Sequence, residues 1–221
     1  MDINVKGTIC GNDKKWVYDL LEIEATCPND VTSALASANG ESVDVYINSG
    51  GGEVFAGSEI YSALRAYRGP IAIHVVGLAA SAASVIMCAA HSDISPTAMV
   101  MIHNVRGRAS GNYFDMAQAS EQLRTASQAI CAAYVEKTGK PAEDLQQMMD
   151  AERWFTAQEA VDLGLCDEIT GGGLQMVAAA TTPVIPDVVA GRLADIMAKE
   201  KQKWKMLGAA EARLAALEGK E

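Results

Sequence analysis

Ile71-Ala-Ile-His-Val-Val-Gly-Leu-Ala-Ala-Ser-Ala-Ala-Ser84 is the stretch that decides the fold. Residues 71–76 form an apolar run of strand length, and Ser81 to Ala90 is a small-residue run of helical character. The first reads as a buried strand. The second reads as a helix packed closely enough to require Ala and Ser. Between them stands Ser81, at a strand-to-helix turn where its hydroxyl is held beside unsatisfied backbone N–H groups. Such a place suits a nucleophile whose product is an oxyanion. A polar residue filling a tight helix start would look the same, so the rest of the chain has to supply a base, an acid and a second oxyanion donor.

Upstream, Val43-Asp-Val-Tyr-Ile47 reads as a strand that runs into the loop Asn48-Ser-Gly-Gly-Gly-Glu53, and 54–67 as a helix with Ile60, Leu64 and Tyr67 on one face. Glycines after a strand let backbone N–H groups approach an anion or carbonyl. Strand–helix–strand–helix order predicts βαβ units and a parallel sheet. The Gly50–Gly52 loop and the Ser81 turn then share the C-terminal edge of that sheet, where α/β proteins place their sites.

Residues 2–9 read as a first strand, 19–25 as a loop or short strand, and Pro28 to Ala38 as a helix ended by Asn39-Gly40. Asp93 to Pro96 reads as a turn, and 98–103 as a strand ending in His103. The chain has three histidines. His74 lies within a strand and reads as packed, and His91 as an exposed helix end. His103 alone occupies a strand end like that of the serine turn, and it is the candidate base. Arg106-Gly-Arg-Ala-Ser-Gly111 is a basic loop. A long helix follows over 112–138, then helices over 141–149 and, from the capping box Thr156-Ala-Gln-Glu159, to Leu163. Cys166 to Ile169 reads as a last strand. Residues 171–187 read as a Gly-, Thr- and Pro-rich linker, and 188–221 as a helical tail whose basic run 199–205 is a solvated face or a partner-binding segment.

With 221 residues and 49% apolar content the chain can form one good core plus an appendage. A net charge of −10 argues against a nucleic-acid binder. Five widely spaced cysteines without a Cys-x-x-Cys pair read as cytoplasmic thiols rather than a disulfide frame or zinc site. The first residues lack the pattern of a signal peptide, and no apolar stretch reaches membrane-spanning length. No metal site or cofactor-binding motif is read, and the absence of a Walker-type loop means that any ATP would be used by a partner.

Four stretches taken together resemble the proteolytic subunits of the Clp serine proteases: Tyr46-Ile-Asn-Ser-Gly-Gly-Gly52 with Ala56-Gly57, Gly77-Leu-Ala-Ala-Ser-Ala82, Met101-Ile-His103, and Glu152-Arg-Trp-Phe-Thr-Ala-Gln-Glu-Ala160 with Gly164-Leu-Cys-Asp167. The resemblance covers 43–170 well and the first 40 residues weakly. It implies an α/β Clp/crotonase-like fold over 1–170, built from repeated β-β-α units with a protruding handle helix at 112–138. It implies Ser81 as nucleophile, His103 as general base, and the backbone N–H groups of Gly52 and Ala82 as oxyanion hole. The family's usual aspartate falls on Glu152, with Asp150 as the alternative acid; Ser84 is the rival nucleophile, read as packing. The resemblance further implies heptameric rings, stacked as a tetradecamer, with sites facing a chamber, and an ATP-driven AAA+ unfoldase as partner. The short N-terminus puts that partnership in question. The Ser81-Ala-Ala-Ser84 and Glu-x-Trp variants resemble the phage-encoded branch associated with head maturation, whose substrates would be scaffold or capsid proteins. Three other readings stay open: a crotonase-type acyl-CoA enzyme, a Ser-Lys peptidase, and a catalytically inactive ring-forming assembly protein.

Overall fold

The structure, a computed structural model, describes residues 1–170 and 189–202. The chain divides into two compact units, Met1–Val184 and Ile185–Glu221. The described part of the second unit is a helix over 189–202. The expected linker at 171–187 and the tail beyond 202 lie outside the described residues.

The first unit runs β1 (Asp2–Ile9), α1 (Lys15–Leu20), β2 (Ala25–Thr26), α2 (Pro28–Ala38), β3 (Val43–Gly52), α3 (Val54–Ala66), β4 (Ile71–Ala80) and α4 (Ala82–Met87). It continues with β5 (His91–Ile94), β6 (Met99–Met101), α5 (Tyr113–Thr138), α6 (Ala142–Asp150), β7 (Trp154–Thr156), α7 (Ala157–Leu163) and β8 (Glu168–Ile169). The main sheet has the order β2-β1-β3-β4-β5-β8, with every neighbouring pair parallel. The parallel α/β arrangement expected from the strand–helix alternation is therefore observed. Val5, Ile9, Val45, Ile47, Ile73 and Val75 pack from the strands against Val31, Leu35, Ile60 and Leu64 of α2 and α3 and the wholly buried α4. Burial of this apolar surface is the main favourable term holding the layers together.

β4 is the strand on which the site depends, because it changes partner partway. Its first half pairs with β5 (Ala72 to Val75) and its second half with β6 (Leu78 to Ala80). Against β3 the register jumps from Ile47↔Val75 to Ser49↔Ala79, so β4 carries two extra residues there. Asn48 fills the jump: its Oδ1 accepts from Leu78 N at 3.1 Å. A Cβ on Gly77 would stand 2.4 Å from that same Oδ1, so glycine is needed for the close approach. The bulge turns the end of β4 toward β6, and β6 leads directly to His103.

Several local expectations are corrected. The glycines 50–52 are not a loop after β3 but its last residues, hydrogen-bonded alongside β1 as far as Ile9↔Gly52. β4 extends to Ala80, and the helix after Ser81 is only Ala82–Met87. Residues 91–94, read as helix end and turn, form β5, so His91 opens a strand, and α1 was not anticipated. His74 is not in a fully buried strand. The first half of β4 alternates, and His74 lies on the partly open face between Asp93 (2.7 Å) and Asp44 (3.3 Å), stacked on Tyr46. All five cysteines are free and buried, and burial pushes the Cys10 and Cys166 thiols up to about 12.

α5 is the long helix foreseen at 112–138. Asn112 caps it in a capping box with Asp115, and Gly139 ends it in the left-handed region at φ 66°. Of its expected apolar face, Ile130 and Tyr134 are buried and Leu123 and Val135 half-buried, but Phe114 and Ala117 are exposed. The N-terminal half therefore stands away from the core, with Tyr113 and Phe114 75% and 68% exposed and their rings 4.2 Å apart.

Candidate active site

The β4–α4 turn holds Ser81 at φ 55°, ψ −123°, a conformation that a non-glycine residue adopts only when its surroundings impose it. Ser81 N donates to Met101 O at 2.9 Å, and Ser81 O accepts from Ser84 N at 3.0 Å and Ser84 Oγ at 2.6 Å. The backbone is thus pinned on both sides. Gly51 closes the third side: a Cβ there would lie 2.6 Å from Ala80 O, 2.6 Å from Ser81 Cβ and 3.0 Å from Ala82 N. Ser49 supports that approach, its buried hydroxyl donating to Gly7 O at 2.6 Å and accepting from Gly51 N at 3.0 Å. The end of β3 and the start of α4 therefore lie side by side, as expected of Gly50–Gly52 and the serine turn. Two neighbouring backbone segments at one point can present two N–H groups to a single oxygen.

His103 follows β6, and its Nε2 lies 2.7 Å from Ser81 Oγ. With a neutral imidazole the serine hydroxyl donates to Nε2, and the ring hydrogen then sits on Nδ1. That Nδ1 is buried and has no hydrogen-bond partner. Leaving a buried donor unpaired generally costs about 1–3 kcal/mol, so the position calls for an acceptor. Burial of the ring, reinforced by the positive charge of Arg106, pulls the His103 pKa below the usual histidine value; Glu152 and the Asn104 backbone oppose the shift.

Neither acid candidate occupies the gap. Glu152 sits in the turn between α6 and β7 at φ 49°, the second non-glycine residue of the site in the left-handed region. Its carboxylate is paired with the Arg106 guanidinium, which holds it below the ordinary glutamate range. Asp150 faces elsewhere: its Oδ1 accepts from Asn104 Nδ2 at 2.7 Å and Gln146 Nε2 at 2.9 Å, bonds that likewise lower its pKa. The structure thus brings Ser81, His103 and the Gly51–Ala82 backbone together and leaves both carboxylates off the imidazole.

Ser84, the rival nucleophile, lies inside the core beneath the turn. It is fully buried, and its hydroxyl bridges Ser81 O and the Tyr134 hydroxyl (2.8 Å). A Ser-Lys reading requires a lysine near Ser81, and none lies between Lys15 and Lys137; Lys137 itself binds Asp167 and Ala90 O. The sequence reading missed Arg106 as the partner of Glu152, and Asn48 and Ser49 as the groups that shape the turn. The only signals were a basic residue three after His103 and a polar pair before the glycines. A groove of about 770 Å³ runs from Val54 and Phe55 past Arg106–Ala109 to the flank of α5 at Leu123 and Ala126.

These features define a class: an α/β protein with a serine on a strained strand-to-helix turn and a histidine in contact with it, both just past the C-terminal ends of parallel strands. The Clp protease family model matches residues 17–172, and the chain belongs to this family of serine endopeptidases. The chain is 33% identical to the ATP-dependent Clp protease proteolytic subunit 3 of Rhodococcus jostii over 174 residues, covering 73% of this chain and 81% of that protein. It is 32% identical to the proteolytic subunit 1 of Frankia casuarinae over 154 residues, 66% of this chain and 72% of that one. A solved structure of a ClpP1 point mutant from Listeria monocytogenes shares the fold with a TM-score of 0.65 at 22% identity, over 77% of this chain and 91% of that one. No helix among the described residues is long and apolar enough to cross a membrane.

Proposed function

We propose that the protein hydrolyses peptide bonds through Ser81, His103 and Glu152, with the Gly52 and Ala82 N–H groups as oxyanion donors. The observation that carries this reading is the 2.7 Å Ser81 Oγ–His103 Nε2 contact on a serine held at φ 55°. A serine hydroxyl attacks only while a base takes its proton. His103 Nε2 receives that proton as Oγ bonds to the scissile carbonyl carbon, and the carbonyl oxygen becomes an oxyanion facing the two N–H donors. His103 then returns the proton to the leaving amine, and water repeats the sequence on the acyl-enzyme. One such donor is worth roughly 3 kcal/mol in the transition state. Glu152 supplies the acceptor that His103 Nδ1 lacks. In that role its carboxylate leaves the Arg106 guanidinium with which it is paired and turns to the imidazole.

The reading extends to assembly. The exposed N-terminal half of α5, with Tyr113 and Phe114, is a handle joining rings of this chain into a chamber. Unfolded or scaffold and capsid chains are the substrates, bound as an added strand along 106–111 through main-chain hydrogen bonds. The variants Ser81-Ala-Ala-Ser84 and Glu152-Arg-Trp154 support a phage assembly role over dependence on an unfoldase. The test is intact-mass analysis after a fluorophosphonate probe on the assembled protein. One adduct per chain, mapped to Ser81, is expected; an assembled protein that takes up no probe and cleaves no unfolded polypeptide overturns the reading.

Two further outcomes discriminate within it. Asp150→Asn keeps the Oδ1 acceptor used by Asn104 and Gln146, and it is expected to change peptidase kcat/KM by no more than about twofold. Glu152→Gln is expected to lower kcat/KM at least about tenfold and as much as about 10⁴-fold, the range seen when an orienting carboxylate of a triad is neutralised. The reverse order would move the acid to Asp150. The pH profile provides the second check. His103 acts as base only when neutral, and its pKa lies below the usual value, so the acid limb of kcat/KM is expected below about pH 6.5. A limb well above that value would contradict the burial of the ring.

A further inference from the structure

His103 Nδ1 is buried without a partner, while the carboxylate that the triad reading assigns to it is bound by Arg106. Both partners of that ion pair are open to solvent, with side chains 67% (Arg106) and 51% (Glu152) exposed. Exposed ion pairs are held weakly and exchange readily with water and other charges. Arg106 lies on the loop 102–112, between β6 and α5, only three residues beyond His103. Its position is fixed from below: Val105 N donates to Ser127 Oγ at 3.0 Å, and Asn104 is tied to Gln146 and Asp150. The guanidinium thus reaches Glu152 from a loop anchored on α5 and α6, beside the groove along 105–109.

We propose that Arg106 is a positioning residue that keeps the site latent by holding the Glu152 carboxylate off His103 Nδ1, and that releasing this ion pair completes the triad. The inference rests on the triad reading given above. It assigns to one basic residue a control over when the site is competent, which suits a protease that must not act before its substrate chain is in the groove. A chain laid along 106–111 lies against the Arg106 side chain, which lines the groove, and displacing the guanidinium frees the carboxylate to turn inward.

The charged groups acting on His103 are Arg106, on its own loop, and Glu152, from the α6–β7 turn; Ser81 faces it from the β4–α4 turn. Removing Arg106 therefore takes a cation from the imidazole and delivers an anion to it, and both changes favour the protonated ring. The test compares the rate of fluorophosphonate labelling at Ser81 in the assembled wild type, Arg106→Gln, Arg106→Lys and the double variant Arg106→Gln/Glu152→Gln. Light scattering and circular dichroism confirm equal assembly and folding. Arg106→Gln is expected to label about two- to fivefold faster than wild type, the most an exposed ion pair can withhold, with its acid limb moved to higher pH. Arg106→Lys keeps the cation and is expected to stay near the wild-type rate. The double variant is expected to lose the gain, because the gain is delivered by the Glu152 carboxylate.

If wild type labels at Ser81 and Arg106→Gln labels no faster, or if the gain survives in the double variant, the latch is overturned and the triad reading stands. If neither wild type nor Arg106→Gln labels at all, both are overturned.

Discussion

Ser81→Ala is expected to abolish fluorophosphonate labelling and to lower peptidase kcat by roughly 10⁴–10⁶-fold, and His103→Ala to do nearly the same. The two effects should not add. Nucleophile and base act as one unit across a 2.7 Å contact, so losing either leaves only binding and the backbone donors. Ser84→Ala is the informative control. It removes the hydroxyl that bridges Ser81 O and Tyr134, so it should cost about 1–2 kcal/mol of stability while the adduct still forms on Ser81. An adduct that disappears with Ser84→Ala but survives Ser81→Ala would reassign the nucleophile. The measurement is intact-mass analysis of each variant with thermal unfolding of the same samples.

Gly51→Ala is expected to be a strongly damaging single-atom addition beside the Ser81 turn. Gly51 lies at φ 94°, and an added Cβ would meet Ala80 O and Ser81 Cβ, each at 2.6 Å. These are backbone and near-backbone atoms that cannot rotate away. Either β3 retreats or the Ser81 turn opens. Overpacking and left-handed strain together suggest a loss of about 2–5 kcal/mol. For a chain of this size that corresponds to a fall in Tm of about 5–15 °C. Peptidase activity should fall with it, because the Ser81 turn and the neighbouring N–H groups move together. Gly40→Ala makes a suitable comparison: it also has positive φ, at 89°, but nothing lies within 4 Å of an added Cβ. Its cost should come from backbone strain alone, with activity retained. Equal activity losses in the two variants would show that the tight approach of Gly51 to the turn does not matter for the site.

Much of the architecture was legible because its determinants are local. The β-branched runs at 43–47 and 71–76, each followed by a helix-length segment, already fixed parallel βαβ order. Asn112 and Gly139 marked the ends of α5, and Thr156 and Glu159 the start of α7, because capping is a matter of a few neighbouring residues. The pairing of Ser81 with His103 was readable for a related reason. Each stands just past the end of a strand, and in a parallel sheet such positions come to one edge.

What the residues in order could not show depends on contacts between distant segments. The apolar content of 71–76 suggested a strand buried on both faces, whereas His74 is matched to Asp44 and Asp93, carboxylates contributed by two other strands. The glycines 50–52 looked like a loop, because glycine is a turn signal locally; β1 running alongside makes them strand. Ser81 adopts its strained turn because Met101, Ser84 and Gly51 enclose it from three sides. The acid was the least readable element, since motif position named Glu152 but could not say which charge it meets. A carboxylate on an exposed turn goes to the cation that folding brings nearest, and only the tertiary structure put Arg106 there rather than the imidazole of His103.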